Sequence, residues 1–157
     1  MIVLASASPR RSELLASAGI AFVVRASGVD ETEQAGETSK AYVLRIAMAK
    51  ALAADDHIDG SRVPVLAADT TVALPGRILG KPDSVEIARE TLRELSGKTH
   101  YVHTAVVVRM GAELRRLVVS TEIEFRALTS MDIERYVATG ESMDRAGAYA
   151  IQGGAGG

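Results

Sequence analysis

The sequence predicts an α/β fold with a mixed sheet, and three observations carry that prediction. Two apolar runs, Ile2 to Ala5 and Val63 to Ala68, have the continuous pattern of strands buried on both faces. The first run gives way almost at once to Ser8-Pro9, an N-cap residue followed by the residue best suited to a first helical position. Helical and strand-like segments then alternate along a chain of 157 residues, the length of one domain, without separating into blocks.

The elements follow in order. The helix opened by Ser8-Pro9 is expected to bury Leu14, Leu15 and Ala18 and to end at Gly19. Phe22 to Arg25 is a second strand, and the polar, glycine-containing stretch Ser27 to Thr38 is a loop. Ser39 to Ala54 is a helix, with Val43, Ile46, Ala47, Ala51 and Leu52 near a period of about 3.6 residues. The run Val63 to Ala68 ends in Asp69-Thr70-Thr71, and Pro75-Gly76 is a turn. Asp83 to Leu95 is a helix with an Asp83/Glu86 start signal and Gly97 at its end. Tyr101 to Arg109 and Leu114 to Phe125 form a hairpin about Met110 to Glu113. Thr129 to Thr139 is a helix with Thr129 and Asp132 in capping-box positions. The closing stretch Gln152 to Gly157 is expected to have no side chains with which to pack.

Composition narrows the function classes. Hydrophobic residues make up 47% and charged residues 24%, enough for a core, while aromatics are only 4% with no Trp. The core must therefore be built from Val, Leu, Ile and Ala. Eighteen basic against 20 acidic side chains leave a net charge of −2, which gives no broad attraction for nucleic acid. Phosphate recognition, if present, must come from a few placed cations. With no Cys, disulfides and thiolate metal sites are excluded, and a reducing cytoplasm is the expected location. The N-terminal apolar run is too short for a signal peptide or a membrane span.

Five short constellations could carry chemistry. Ser6-Ala-Ser8-Pro9-Arg10-Arg11 places two hydroxyls and two guanidinium forks at a helix start, where free amides and the helix dipole favour anions. It lacks the glycine spacing and Gly-Lys-Ser/Thr ending of a Walker loop, and a capped helix with solvated arginines is its ordinary alternative. Asp69 closes an apolar strand, where it could bind a cation or accept a proton from water; a turn or capping Asp is the alternative. Lys81 sits between Gly80 and Pro82, held out of a helix, either aimed at a phosphate or simply solvated. Asp30-Glu31 could hold Mg²⁺ through oxygen ligands, and Lys50 on the long helix is ambiguous. The small-residue segment Asp144 to Gly153 permits close backbone approach, and Gln152 could read a base edge. His100 and His103 lie three apart on a strand, so they face opposite sides and cannot grip one metal.

Taken together, these segments resemble the Maf family. LASASPRRSELL (Leu4–Leu15) resembles its N-terminal signature and AADTTV (Ala67–Val72) its central Asp motif. ILGKPD (Ile78–Asp83), LSGKTH (Leu95–His100) and DRAGAYAIQG (Asp144–Gly153) resemble the later motifs, in the same order. The resemblance runs from Ile2 to about Gly153 and implies an inosine-triphosphatase-like fold, a twisted mixed sheet with two lobes around a cleft. It implies a house-cleaning pyrophosphatase that converts a nucleoside triphosphate to the monophosphate and pyrophosphate. By position, Asp69 becomes the proton acceptor, with Glu31 and Lys81 beside it in the catalytic set. Arg10, Thr70 and Gln152 become the base-selecting residues, and Ser8, Arg11 and Lys50 further substrate contacts. Glu31 and Asp69 would hold Mg²⁺ or Mn²⁺.

The 7-methyl-GTP subgroup tends to carry Trp, Gln and Glu at the three selecting positions. Arg10, Thr70 and Gln152 resemble the dTTP/UTP subgroup instead. The implied partner is the nucleotide, with modified pyrimidine nucleotides also open, no nucleic acid or membrane, and a homodimer as the candidate assembly. Family members continue past the Ile-Gln-Gly motif with a further strand and a terminal helix. This chain is expected to be a single domain of that kind, 1–157, without them. A fragment, a frameshifted product and a tail supplied by a partner chain all stay open. The alternative function is a non-catalytic nucleotide-binding module linked to septum formation or arrest of cell division.

Overall fold

The computed structural model describes residues 1–143, 145–151 and 154–156. Eight strands and four α-helices alternate along it. They are β1 (Ile2–Leu4), α1 (Pro9–Ser17), β2 (Phe22–Val24), α2 (Ser39–Ala53), β3 (His57–Ile58), β4 (Ser61–Arg62), β5 (Val65–Leu74), β6 (Arg77–Leu79), α3 (Val85–Leu95), β7 (Thr99–Met110), β8 (Glu113–Glu124) and α4 (Ser130–Ala138). The main sheet has the order β2-β1-β5-β7-β8, with β6 paired to β5, and β3 and β4 make a separate two-stranded ribbon. β1 pairs in parallel with both β2 and β5, whereas β6 is antiparallel to β5. The two-residue link between β7 and β8 permits only an antiparallel hairpin. The expected mixed α/β sheet is therefore present.

Two units emerge from the internal contacts, residues 1–69 with 104–119, and residues 70–103 with 120–157. The first has a core of small aliphatics: Val3, Ala5, Val43, Ala47, Ala51, Val65, Ala67, Ala105 and Val107 among them. Alanines on both α2 and the strands let helix and sheet approach closely. The second gathers Val72, Leu79, Leu92, Leu95, Ile133 and Val137 with Ala148 and Tyr149, and Phe125 and Tyr136 pack against them. Among the described residues no helix is long and apolar enough to cross a membrane.

Several local expectations need correction. Leu14, Ala18 and Leu52 are exposed rather than buried. On α2 the reason is geometric: at about 100° per residue, Leu52 points some 180° away from Val43. The helix expected from Asp83 starts later, because Ser84 is its cap and accepts a bond from Ile87 N at 3.2 Å. The strand expected to stop before Asp69 continues to Leu74, since β6 supplies ladder partners for Val72, Ala73 and Leu74. The tail is not wholly without packing, because Ala155 lies against the second core. The Thr129/Asp132 capping box forms as expected.

Candidate functional site

The first unit collects charged side chains around its own core. β1 is three residues long and wholly paired, so it delivers Ser6 buried at its exit, just ahead of α1. The Ser6 hydroxyl accepts a 2.8 Å bond from Arg11 Nη1 and a 3.3 Å bond from Ser8 N. Ser8 is the N-cap of α1, but its hydroxyl makes no capping bond. The Arg11 guanidinium is held where burial lowers its affinity for the proton, and the nearby carboxylates of Asp69 and Glu31 oppose that loss. Arg10, its neighbour, is exposed and has no side-chain partner among the described residues.

At the centre is Lys50. Its ammonium donates to Glu31 Oε1 at 2.7 Å and to Asp69 Oδ1 at 2.8 Å. The Lys50 and Asp69 side chains are only 14% and 12% exposed, which makes the pair much less screened than a surface ion pair. Burial raises the Asp69 carboxyl above the usual carboxylate range, the Lys50 bond and charge pull it back, Glu31 adds to the rise and Arg11 opposes it. Two acids and two cations thus neutralise one another within one partly buried cluster.

Residues that sequence reasoning missed hold this cluster in shape. The Tyr42 hydroxyl donates to the Glu31 carbonyl at 2.9 Å, and burial together with the charges of Asp69 and Glu31 raises its phenol. Arg45 donates to both oxygens of Glu37, at 2.6 and 2.7 Å, and to the Thr32 carbonyl at 2.9 Å. Arg109 bonds the carbonyls of Ala51 and Ala54 at 2.8 and 2.7 Å and Asp56 at 3.0 Å, so it caps the end of the helix that carries Lys50. No spacing in the sequence announces these, because each joins positions distant in the chain or reaches a backbone carbonyl. Ser6 was legible only as a hydroxyl in the first constellation.

The remaining candidates lie outside the first unit or outside the described residues. Thr70 and Lys81 belong to the second unit and are exposed. Lys81 precedes buried Pro82, and the adjacent Gly80 carbonyl accepts a 3.1 Å bond from Gly147 N, so its backbone is fixed. Gln152 lies outside the described residues. His100 and His103 are both buried but have different partners, the Tyr149 hydroxyl at 2.7 Å and the Ser120 hydroxyl at 2.8 Å.

Glu31 and Asp69 offer carboxylate oxygens converging on one ammonium, a donor set suited to a hard, oxygen-seeking divalent cation. Among the described residues one group of three, Asp55, Asp56 and His57, also brings ligand atoms within 4.8 Å of one another. There Asp56 Oδ2 is already taken by Arg62 and Arg109, so that group works as an ion-pair node.

Known proteins match this chain along its length. A dTTP/UTP pyrophosphatase of Myxococcus xanthus (strain DK1622) is 52% identical over 156 residues, 98% of this chain and 76% of that protein. One from Anaeromyxobacter dehalogenans (strain 2CP-1 / ATCC BAA-258) is 49% identical over 160 residues, covering 99% and 79%. One from Escherichia coli O157:H7 is 46% identical over 152 residues, covering 97% and 77%. The family model described as Maf-like protein matches residues 1–157, the same span that holds the Ser6–Arg11 turn, Lys50 and Asp69. The chain belongs to the Maf family.

Proposed function

We infer that this chain is a nucleoside triphosphate pyrophosphatase that hydrolyses dTTP and UTP to the monophosphate and pyrophosphate. Relatives that are about half identical and carry that name support the substrate class. The structural observation that carries the reading is the bridging of Glu31 and Asp69 by Lys50, with Arg11 close by.

In this reading Asp69 is the proton acceptor. Lys50 engages Oδ1, so Oδ2 remains to take a proton from water. A carboxyl raised by burial is a stronger base than a surface Asp, which suits that task. The water oxygen bonds to the α-phosphorus, the bond to the bridging oxygen breaks, pyrophosphate leaves, and the proton passes to Asp69. Arg11 and Lys50 neutralise phosphate charge, and the work is largely positioning and electrostatic stabilisation. Glu31 and Asp69 would hold Mg²⁺ or Mn²⁺, which when bound supplies charge neutralisation at the phosphates. Ser8, Arg10, Thr70, Lys81 and Gln152 are assigned on the family resemblance, Arg10, Thr70 and Gln152 as the residues that select a pyrimidine. The assigned compartment is the cytoplasm.

Pyrophosphate release, read as phosphate after added inorganic pyrophosphatase, tests this over dTTP, UTP, CTP and 7-methyl-GTP with Mg²⁺ or Mn²⁺. Turnover is expected with dTTP and UTP ahead of 7-methyl-GTP. Nucleotide binding with no turnover on any of the four would replace the enzyme with a binding module.

A further inference from the structure

We propose that Tyr42 and Arg45 are positioning residues that hold the loop between β2 and α2 so that the Glu31 carboxylate meets Lys50. The inference rests on the reading of Glu31 as part of the reacting site. Residues 25–34 of that loop have no helix or strand of their own. A free segment of this kind would leave Glu31 to sample many positions, at the entropic cost of ordering both backbone and side chain each time substrate binds.

α2 removes that freedom at three successive points. Tyr42 holds the carbonyl of Glu31 itself at 2.9 Å. Arg45 Nη2 holds the carbonyl of the next residue, Thr32, also at 2.9 Å. The Arg45 fork then takes both oxygens of Glu37, whose side chain is only 8% exposed, near the loop's far end. Arg45 also stands 5.5 Å from the centre of the Tyr42 ring, so each supports the other's orientation. The peptide from which the Glu31 side chain springs is thus fixed on the same helix that presents Lys50. Neither residue reaches the reacting atoms; both act through Glu31.

The test joins a double-mutant cycle to a readout that does not need activity. Tyr42→Phe removes one hydroxyl and is expected to lower kcat/KM for dTTP roughly fivefold, the weight of a single hydrogen bond. Arg45→Ala loses charge-assisted bonds and is expected to cost about tenfold or more, with Arg45→Lys as the milder variant if the alanine form folds poorly. In a Glu31→Gln background both changes should cost little further, because the group they position is gone. Amide exchange across residues 28–37 should rise in both variants while the core of α2 stays protected. Full, additive losses in the Glu31→Gln background, or loop exchange equal to wild type, would overturn the proposal. A wild-type chain that turns over no nucleotide would instead count against the pyrophosphatase reading, and loop exchange would still decide whether Tyr42 and Arg45 hold the segment.

Discussion

The two units bury polar groups for opposite purposes. In residues 1–69 and 104–119, a partly buried cluster is charged: Arg11, Lys50 and Asp69, with Glu31 at the exposed side. In residues 70–103 and 120–157, a buried pair is neutral. His100 and Tyr149 share a 2.7 Å hydrogen bond, and their rings meet each other and Phe125 edge to face. Burial holds the His100 imidazole below its usual value and the Tyr149 phenol above its own, so both stay uncharged. A charged cluster set into an alanine-rich core adds little stability, since desolvation offsets most of the attraction. Its presence there points to work on a charged ligand. A neutral pair locked by three aromatic contacts points to packing. Mutations should therefore separate the two clusters, with activity lost at the charged one and stability at the neutral pair.

The largest expected effect is on Asp69. Asp69→Asn keeps the shape and removes the base, so pyrophosphate release from dTTP should fall about 10²- to 10⁴-fold. The thermal midpoint should not drop, because the amide avoids the cost of burying a carboxylate. A variant with normal turnover would remove Asp69 from the chemistry and with it the contrast between the units.

The counterpart in the second unit is Gly147. Its φ is +72°, a left-handed conformation, and a Cβ there would stand 2.8 Å from three side-chain atoms of Val72. Gly147→Ala should therefore destabilise by about 2–4 kcal/mol through strain and overpacking, read as a lower urea midpoint at unchanged slope. Turnover per folded molecule should change far less than in Asp69→Asn. If Gly147→Ala folds as stably as wild type, the second core is looser than described.

Much of this arrangement was legible in the sequence, and the exceptions share a cause. The buried runs at Ile2 and Val63, the hairpin and the Thr129 capping box follow from local patterns, so they could be read one window at a time. Asp69 was legible as an acid beside an apolar run. Its position within β5 was not, because the continuation depends on β6, a strand too short to announce itself. Lys50 looked like any helix lysine; only the folded chain brings it to two carboxylates. Tyr42, Arg45 and Arg109 bond largely to backbone carbonyls, which carry no sequence signature. The family resemblance reached Glu31, Lys50 and Asp69 by position, and the structure supplies the hydrogen bonds that join them.

A subtler effect sharpens the account of the charged cluster. Asp69 can accept a proton only when ionised, and in the metal-free protein burial raises its carboxyl. Lys50 opposes that rise twice, by its bond and by its charge. Lys50→Met removes both, so in the metal-free protein the Asp69 carboxyl should titrate at higher pH than in the wild type, as read by NMR. A carboxyl that stayed in place, or moved down, would mean that Lys50 does not govern Asp69.

The smallest expected effect belongs to the neutral pair. The folded state disfavours protonated His100, whereas an unfolded chain takes up that proton near the usual imidazole value of about 6.5. As pH falls through that region the unfolded state binds the extra proton first, so stability declines there, and it is fully present above it. The thermal midpoint of the wild type should thus be lower at pH 5.5 than at pH 7.5, beyond what the carboxylates contribute at that end. A double variant, His100→Phe with Tyr149→Phe, keeps the aromatic contacts, removes the titrating ring and leaves no hydroxyl stranded. Its midpoint should vary less over the same interval than that of the wild type. Equal slopes in the two proteins would show that His100 is reached by solvent or finds a charged partner, and the pair it forms with Tyr149 could then no longer be counted as neutral.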